Sequence, residues 1–468
     1  MNQSSRRLNV VLLVVDSLRY RSLTPREGPT VSPFLKSLSE RMLSFSRAYA
    51  TECWTLPTHI SMFTGLLPSE HKAHFQSMGY HGRPPTIAEL LREDGYHTEV
   101  ITRNSIFDGS IPGVTRGFRE NTQVLSDLTG RNPLALALAL SKPRFRRQIR
   151  TTGFFHPRQR ESRKFLSDFS RAVVPADREA LTRVLEQMNS CRRAGQPYFL
   201  FCNLYDVHAP YPPTSRSIVR PLWSSRGVLD AMLMPFVLPK LGGHAYLRKG
   251  FRMSAISRRM LLQRYRDAIS LMDDKLAEFY MSARAAHLLD DTLLIMTSDH
   301  GEAFGDHGLY LHDASVYDTH VHVPLYVHHP HYGSGEIEDV VSTRDLFGLM
   351  VSAEKGGEAS DTLLDSNWRA RHPIALAEHF FYPHVPDAIP RYRENIAAAV
   401  ARDRKILVRT DGIECFDLVS DPDELGPERM SRGGIKDACR ILGTDKTTAR
   451  GALDHLASFG HIVRSIGH

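Results

Sequence analysis

The segment from Leu8 to Asp16 constrains the fold more than any other part of the sequence. It is a nearly continuous apolar run, rich in β-branched residues, that ends in an aspartate. Such a run predicts a central parallel strand covered on both faces. Similar runs and helical patterns alternate further along the chain, with strands predicted at 97–102, 198–204 and 291–297 and helices at 86–94 and 265–283. We therefore predict an α/β sheet with ligands at the carboxyl ends of its strands.

The helix at 86–94 has the clearest boundaries. Thr86 is suited to the N-cap, Glu89 stands three residues further on, and Gly95 follows the last turn. A threonine and a glutamate at this spacing predict a capping box, and the glycine predicts the helix end.

The length of 468 residues exceeds what one ordinary core accommodates. We predict a catalytic domain at 1–370, with insertions at about 125–195 and 212–260, and a C-terminal subdomain at 371–468. Short strands at 397–401, 405–409 and 415–418 indicate that the subdomain has a small antiparallel sheet, followed by terminal helices. Hydrophobic residues at 42% and charged residues at 24% exclude disorder, collagen and coiled coil for the whole chain.

The net charge of +7 is modest and suits an enzyme with an anionic substrate, either a small molecule or a lipid-linked ester. Nine basic residues and one acid lie in segment 142–164. This segment is interpreted as a lid over the active site, a patch for anionic lipid, or a solvated insertion. No nucleic-acid module accompanies it, so no specific nucleic acid is expected. The sequence does not indicate the oligomeric state.

The sequence also bears on the cellular location. No apolar stretch reaches the roughly 18 residues of a membrane span, although peripheral membrane contact through Met232–Leu238 stays open. The five cysteines show no CxxC spacing. We therefore expect reduced thiols and a cytoplasmic protein.

Reactive side chains follow several of the predicted strands. Histidine is unusually frequent, since eight of the 23 lie between His300 and His331. Aspartates, an imidazole and a hydroxyl at one sheet edge could bind a divalent cation, which would lower the pKa of the hydroxyl and make it a nucleophile. The side chains in question are Asp16, Thr55, Asp206, His208, Asp299 and His300.

The order of these motifs resembles the sulfatase branch of the alkaline phosphatase superfamily over most of the chain. The strand ending at Asp16 is similar to the first metal strand of that family. Segment 55–59 with Thr64-Gly65 stands in the place of the nucleophile motif, Cys/Ser-x-Pro-x-Arg followed by Thr-Gly. The match continues through four further stretches, 86–98, 298–308, 323–325 and 416–424.

The resemblance implies a mixed, mostly parallel sheet flanked by helices, with a small antiparallel C-terminal subdomain. It implies one divalent metal ion, either Mn, Zn or Ca, and its ligands are Asp16, Thr55, Asp299 and His300. A second metal is possible. Asp206 with His208, His312 or His320 could supply ligands for it, but their spacing does not match that of two-zinc relatives. We therefore favour one metal.

The resemblance also assigns catalytic roles. Thr55 is the nucleophile, His208 contacts the oxyanion of the substrate, and His312 lies near a family lysine and would assist the leaving group. The remaining candidates for substrate binding are His59, Asn104, Asp206 and His307.

The chain departs from the family at its nucleophile. Sulfatases convert Cys or Ser to formylglycine, whereas this position is Thr55 and the motif arginine is His59. Cys53 stands two residues early without the required proline. A sulfated threonine cannot expel sulfate by elimination, while a phosphorylated threonine can be resolved by water or an alcohol. We therefore predict a hydrolase of phosphate or phosphonate esters, such as a phosphodiesterase; a sulfatase, a transferase to an alcohol and a non-catalytic binding scaffold remain as alternatives.

Overall fold

The computed structural model describes most of the chain. The described residues are 7–25, 29–124, 177–209, 211, 253–312, 315–381 and 394–430, together with 442, 452, 455 and 456. The basic segment 142–164 and Met232–Leu238 lie outside the described residues.

A large mixed sheet forms the centre of the protein. Its order is β10-β2-β9-β6-β1-β5-β3-β4, with β11 beside β2. The strand β1 is parallel to β5 and β6, and the antiparallel strand β9 joins β6 to β2. The strands of this sheet are β1 (Asn9–Val15), β2 (Leu43–Tyr49), β3 (His97–Thr102), β4 (Glu120–Gln123), β5 (Tyr198–Leu204), β6 (Thr292–Thr297), β9 (His322–His328), β10 (Gly335–Ile337) and β11 (Val341–Ser342). The strands β7 (Ala303–Phe304) and β8 (Tyr310–Leu311) pair separately.

Helices cover both faces of this sheet, as the continuous apolar run of β1 predicts. Alternate residues of β1 enter two different cores, one containing Val10, Leu12 and Val14 and the other Val11, Leu13 and Val15. The first core receives side chains from α2, α4 and α8, and the second from α5 and α6. The helices are α1 (Pro33–Ser37), α2 (Thr55–Thr64), α3 (Pro68–His71), α4 (Ile87–Glu93), α5 (Asp177–Ala194), α6 (Ala255–Ala285), α7 (Asp318–Val321), α8 (Leu346–Glu354) and α9 (Ser366–Arg371).

Two helices lie partly in the segments predicted as insertions. Helix α5 occupies 177–194, at the end of the segment 125–195, and its apolar side packs into the second core. Helix α6 begins at Ala255, ten residues before the predicted start at Tyr265. Both helices therefore belong to the sheet scaffold.

The predicted capping box of α4 is confirmed. The Thr86 side chain accepts a hydrogen bond from the Glu89 backbone N–H, and the Glu89 carboxylate accepts one from the Thr86 backbone N–H. Gly95 follows the helix with a left-handed φ of 87°, which a residue without a Cβ adopts readily.

The C-terminal part forms a separate antiparallel sheet, as predicted. Its five strands follow chain order, and three of them begin and end within two residues of the three predicted ranges. They are β12 (Ala375–His379), β13 (Ile396–Val400), β14 (Arg404–Val408), β15 (Ile413–Asp417) and β16 (Glu428–Met430). In the described part of the chain, no helix has the length and apolar character needed to cross a membrane.

Candidate active site

Three of the predicted metal ligands meet at the carboxyl edge of the main sheet. Asp16 directly follows β1, and Asp299 and His300 follow the neighbouring parallel strand β6. One donor atom from each side chain lies within 4.8 Å of the others, and all three residues are fully buried. Adjacent parallel strands thus bring together residues separated by more than 280 positions.

Thr55 completes this group from the first turn of α2. Its Oγ1 lies 3.5 Å from Asp16 Oδ2 and 3.4 Å from His300 Nε2. The residue is only 3% exposed. The first turn of a helix presents backbone N–H groups without intrahelical partners, and these favour an anion at this point. The predicted nucleophile therefore lies between two candidate metal ligands at a site suited to an anionic group.

The hydrogen bonding of His300 determines which of its nitrogens faces the site. Its Nδ1 lies 2.9 Å from the carbonyl oxygen of Gly301. A carbonyl only accepts hydrogen bonds, so Nδ1 carries the hydrogen and Nε2 presents its lone pair. Burial lowers the pKa of His300 well below its ordinary value, which keeps the ring neutral. A neutral imidazole with a free Nε2 is a suitable metal ligand.

The raised pKa and the unpaired oxygen of the Asp299 carboxyl group agree with a cation at this position. Burial and the neighbouring Asp16 carboxylate raise the pKa of Asp299 well above its usual range. Its Oδ1 accepts backbone hydrogen bonds from Ser17 and His300, whereas its buried Oδ2 has no hydrogen-bond partner. Two buried carboxylates with an unpaired oxygen require a proton or a cation between them. These side chains could therefore hold a divalent metal ion.

Amide and hydroxyl groups surround Asp16. The Asn104 side chain donates from Nδ2 to Asp16 Oδ2 over 3.1 Å, and its Oδ1 accepts from the Ile106 backbone N–H. Asn203 and Ser17 also donate to Asp16, over 3.5 and 3.1 Å. Asn203 and Ser17 were not among the predicted site residues. The position of Asn203 near the end of a strand beside β1 was the available signal, because parallel neighbours end at the same edge.

His208 and His312 lie beside the candidate metal ligands. The His312 ring centroid is 4.5 Å from that of His300 and 4.9 Å from that of His208. Burial lowers the pKa of His208 to about 4, so its ring is neutral. Burial also opposes the charged form of His312, but the Glu302 carboxylate, 3.2 Å from its Nδ1, outweighs this and raises the pKa of His312. The site thus pairs a neutral histidine with one whose protonated form is favoured.

His59 and Cys53 lie on other sides of Thr55. The His59 Nδ1 donates to the Thr55 carbonyl over 2.7 Å and lies 3.8 Å from Asp299 Oδ2. Its fully buried ring contacts Phe107 and Phe201, so its neighbours are core residues and the carboxylate. The Cys53 sulfur lies 3.5 Å from His379 Nδ1, away from the Asp16 group.

Asp206 belongs to a buried ion-pair network. Its carboxylate bonds Arg103 and Lys275, and its backbone N–H donates to Asp177. Because both carboxylate oxygens bond cations of the protein, the structure does not bring Asp206 to the predicted substrate or second-metal position. His320, the other second-metal candidate, contacts Ser315 and the Leu311 carbonyl.

His307 lies apart from the metal-ligand group. Its ring stacks on Tyr317 with centroids 3.8 Å apart. It lines a cavity of about 470 Å³ to which Asp318 and Glu424 also contribute, and whose lining does not include Thr55. The structure therefore does not bring His307 together with the other predicted substrate-binding residues.

Comparison with known proteins agrees with this geometry. The family model described as Sulfatase matches residues 8–353. The chain belongs to the sulfatase family. Among sulfatase relatives, iduronate 2-sulfatase of Homo sapiens is 23% identical over 70% of this chain, and the chain spans 61% of that protein. Choline-sulfatase of Rhizobium meliloti (strain 1021) is 23% identical over 89% of this chain and 81% of its own.

The fold of a phosphonate monoester hydrolase from Agrobacterium radiobacter is also similar. It has a TM-score of 0.60 and 19% identity, and the match covers 97% of this chain and 95% of that one. At this identity the likeness supports the fold alone. The chain is thus a sulfatase-family hydrolase of the alkaline phosphatase superfamily, with buried side chains that could hold a metal ion.

Proposed function

We propose that this protein is a metal-dependent hydrolase of phosphate or phosphonate esters that forms a covalent intermediate on Thr55. The observation that carries the proposal is the position of a threonine hydroxyl within 3.5 Å of Asp16 Oδ2 and His300 Nε2. Cys53 is directed toward His379 and does not reach this group. These positions support the hydroxyl of Thr55, rather than the thiol of Cys53, as the group that attacks the ester.

A threonine nucleophile favours phosphorus over sulfur. The hydrated formylglycine of sulfatases has a second hydroxyl, which allows sulfate to leave by elimination. Thr55 has a methyl group in place of that hydroxyl, so a sulfated threonine would persist. A phosphorylated threonine is released when water attacks phosphorus and the Cβ–Oγ1 bond stays intact.

The residues of the site divide the remaining tasks. The metal, held by Asp16, Thr55, Asp299 and His300, would supply Lewis-acid stabilisation of negative charge and a lower pKa for the hydroxyl. Thr55 passes its hydroxyl proton to water as its Oγ1 forms a bond to phosphorus. The first turn of α2 stabilises the phosphoryl oxygens through its backbone N–H groups.

The two histidines act on different oxygens of the substrate. His208, whose Nδ1 donates to the Ala209 carbonyl, takes up a proton on Nε2 when the anionic ester binds and donates a hydrogen bond from it to a phosphoryl oxygen. His312, held by Glu302, gives a proton to the ester oxygen as the bond from phosphorus to that oxygen breaks. Water then attacks the phosphothreonine and regenerates the Thr55 hydroxyl. The substrate is an anionic ester, either a small molecule or a lipid-linked one.

The test compares wild type with Thr55→Ala and Thr55→Ser on four p-nitrophenyl esters: phosphate, phosphate diester, phosphonate and sulfate, with Mn²⁺, Zn²⁺ or Ca²⁺. We expect turnover of a phosphorus ester and a loss of at least about 1,000-fold in kcat for Thr55→Ala. Thr55→Ser keeps the hydroxyl and removes one methyl group, worth about 0.8 kcal/mol, so its rate should stay within about tenfold. Metal content, measured in parallel, should be retained in Thr55→Ser, whereas Thr55→Ala keeps three of the four ligands and is assayed with metal in excess.

The outcome also separates the alternative functions. Iduronate 2-sulfatase and choline-sulfatase act on sulfate esters by name, which makes a sulfuric ester hydrolase the second candidate. Preferential turnover of the sulfate ester would contradict the argument from threonine. Turnover only when an alcohol acceptor is added would identify a transferase. Metal binding without any turnover would indicate a binding scaffold.

A further inference from the structure

A second group of metal-ligating side chains lies directly before Thr55 in the sequence. It consists of Glu52, Cys53 and His379, which we call the Glu52 cluster. One donor atom from each lies within 4.8 Å of the others, and the three residues are buried. His379 ends β12 in the C-terminal sheet, so the cluster joins that sheet to the segment that leads into α2.

The distances within the Glu52 cluster agree with tetrahedral zinc. The Cys53 sulfur lies 3.5 Å from His379 Nδ1, and that nitrogen lies 2.9 Å from Glu52 Oε1. Typical Zn–S and Zn–N bonds place sulfur and nitrogen ligands about 3.6 Å apart and nitrogen and oxygen ligands about 3.3 Å apart. A shift of a few tenths of an ångström would therefore place all three around one ion.

The charges of the Glu52 cluster also favour a cation. Glu52 is fully buried, and among the described residues its ion-pair partner is the His379 imidazole rather than a lysine or arginine. The Cys53 backbone N–H donates to Oε1 and the Trp54 indole N–H to Oε2, which fixes the carboxylate with Oε1 beside the imidazole. A buried carboxylate is costly without a positive partner, and a cation between the three donors would supply one.

We propose that the Glu52 cluster is a zinc site, distinct from the candidate active site, in which Glu52, Cys53 and His379 are the protein ligands. A thiolate, an imidazole and a carboxylate together suit Zn²⁺ and disfavour Ca²⁺ or Mg²⁺, which prefer oxygen ligands. The ion ties the C-terminal sheet to the residues that immediately precede Thr55. Three protein ligands leave the fourth tetrahedral position to a water molecule, and the full burial of the donors assigns the ion a structural role.

The test uses cobalt as a spectroscopic substitute for zinc in the full chain. Because the cluster is buried, Co²⁺ is supplied during expression so that the ion is bound as the chain folds. Thiolate ligation of Co²⁺ gives a near-ultraviolet charge-transfer band, and the Asp16 group contains no cysteine. We expect this band in wild type and in Asp299→Asn, which removes a ligand of the candidate active site. Excess Ca²⁺ should leave the band unchanged.

Cysteine variants assign the band to one residue. We expect Cys53→Ala to abolish it and to remove one equivalent of zinc from protein expressed with Zn²⁺. The matched control is Cys191→Ser, a buried cysteine on α5, which should retain both. Absence of the band in wild type overturns the proposal even if Cys53→Ala does not fold. A band that persists in Cys53→Ala, or that disappears in Asp299→Asn, also overturns it.

Discussion

Replacement of Asp299 by asparagine should stabilise the metal-free protein while abolishing its response to metal. An amide oxygen can accept the two backbone hydrogen bonds that Oδ1 receives from Ser17 and His300. The new Nδ2 would take the position of Oδ2, which lacks a hydrogen-bond partner and lies 3.4 Å from His300 Nε2. Since Nε2 presents a lone pair, the amide would donate to it. The substitution thus keeps every existing bond and removes a buried charge.

The size of the effect follows from the separation of the carboxylates. Donor oxygens of Asp16 and Asp299 lie within 4.8 Å. With an effective dielectric constant of about 20, two unit charges at that distance repel each other by about 3 kcal/mol. Proton uptake by Asp299, whose pKa is raised by burial and by Asp16, relieves part of this repulsion. We therefore expect the free energy of unfolding to rise by about 1–3 kcal/mol without metal.

Urea unfolding with EDTA and with added Mn²⁺ measures both parts of the prediction; Zn²⁺ is left out because it would also bind the Glu52 cluster. Wild type should gain about 2.7 kcal/mol at a metal concentration of 100 Kd, and Asp299→Asn should gain little. The matched control is Asp306→Asn. Asp306 pairs with Arg19 over 3.3 Å, so its charged carboxylate stabilises the folded protein. That variant should lose stability in EDTA and keep the metal response. A less stable Asp299→Asn in EDTA, or an equal gain from metal in both proteins, would refute the reasoning.

Two further predictions concern stability. Burial lowers the pKa of His71 to about 3, below its unfolded value of about 6.5, so its contribution is complete above pH 6.5 and is lost as the pH falls toward 3. Between pH 7.5 and 5.5 this should cost about 1.4 kcal/mol, and urea unfolding of His71→Gln should show a correspondingly weaker pH dependence. Lys405 is fully buried and bonds Asp318 and Glu424 over 2.7 and 2.8 Å. Lys405→Met should lose about 3–5 kcal/mol at neutral pH, and a loss below about 1 kcal/mol would contradict this.

The sequence predicted the core of the candidate site because the relevant signal is local. A continuous apolar run predicts a central strand, and the polar residue that ends it marks the carboxyl edge of the sheet. Asp16 and Asp299 both follow such runs, so their proximity required only that the two strands be parallel neighbours. The candidate nucleophile Thr55 was instead assigned through the resemblance of the motif at 55–59 to that of the sulfatase family. These expectations therefore depended on short segments and one rule of topology.

The surroundings of the site could not be predicted in this way. Asp206 also follows a strand, but it forms ion pairs with Arg103 and Lys275, which are 103 and 69 residues away from it in the sequence. No local pattern distinguishes a carboxylate that meets two cations from one that meets a substrate. His379 lies 327 positions from Glu52, so their pairing was likewise absent from the sequence analysis. Long-range charge pairing decides the role of such residues.

The turn into α2 explains why a hydroxyl rather than a thiol faces the metal ligands. Trp54 is the N-cap, with an extended φ of −151° and ψ of 166°, so the chain changes from extended to helical geometry between Cys53 and Thr55. Cys53 consequently reaches His379 while Thr55 reaches Asp16. A cysteine at position 53 could serve as nucleophile only if α2 began two residues earlier. Glu52 opposes that change because its carboxylate accepts hydrogen bonds from the Trp54 indole N–H and the Cys53 backbone N–H. The start of the helix therefore determines that Thr55, and not Cys53, lies beside Asp16.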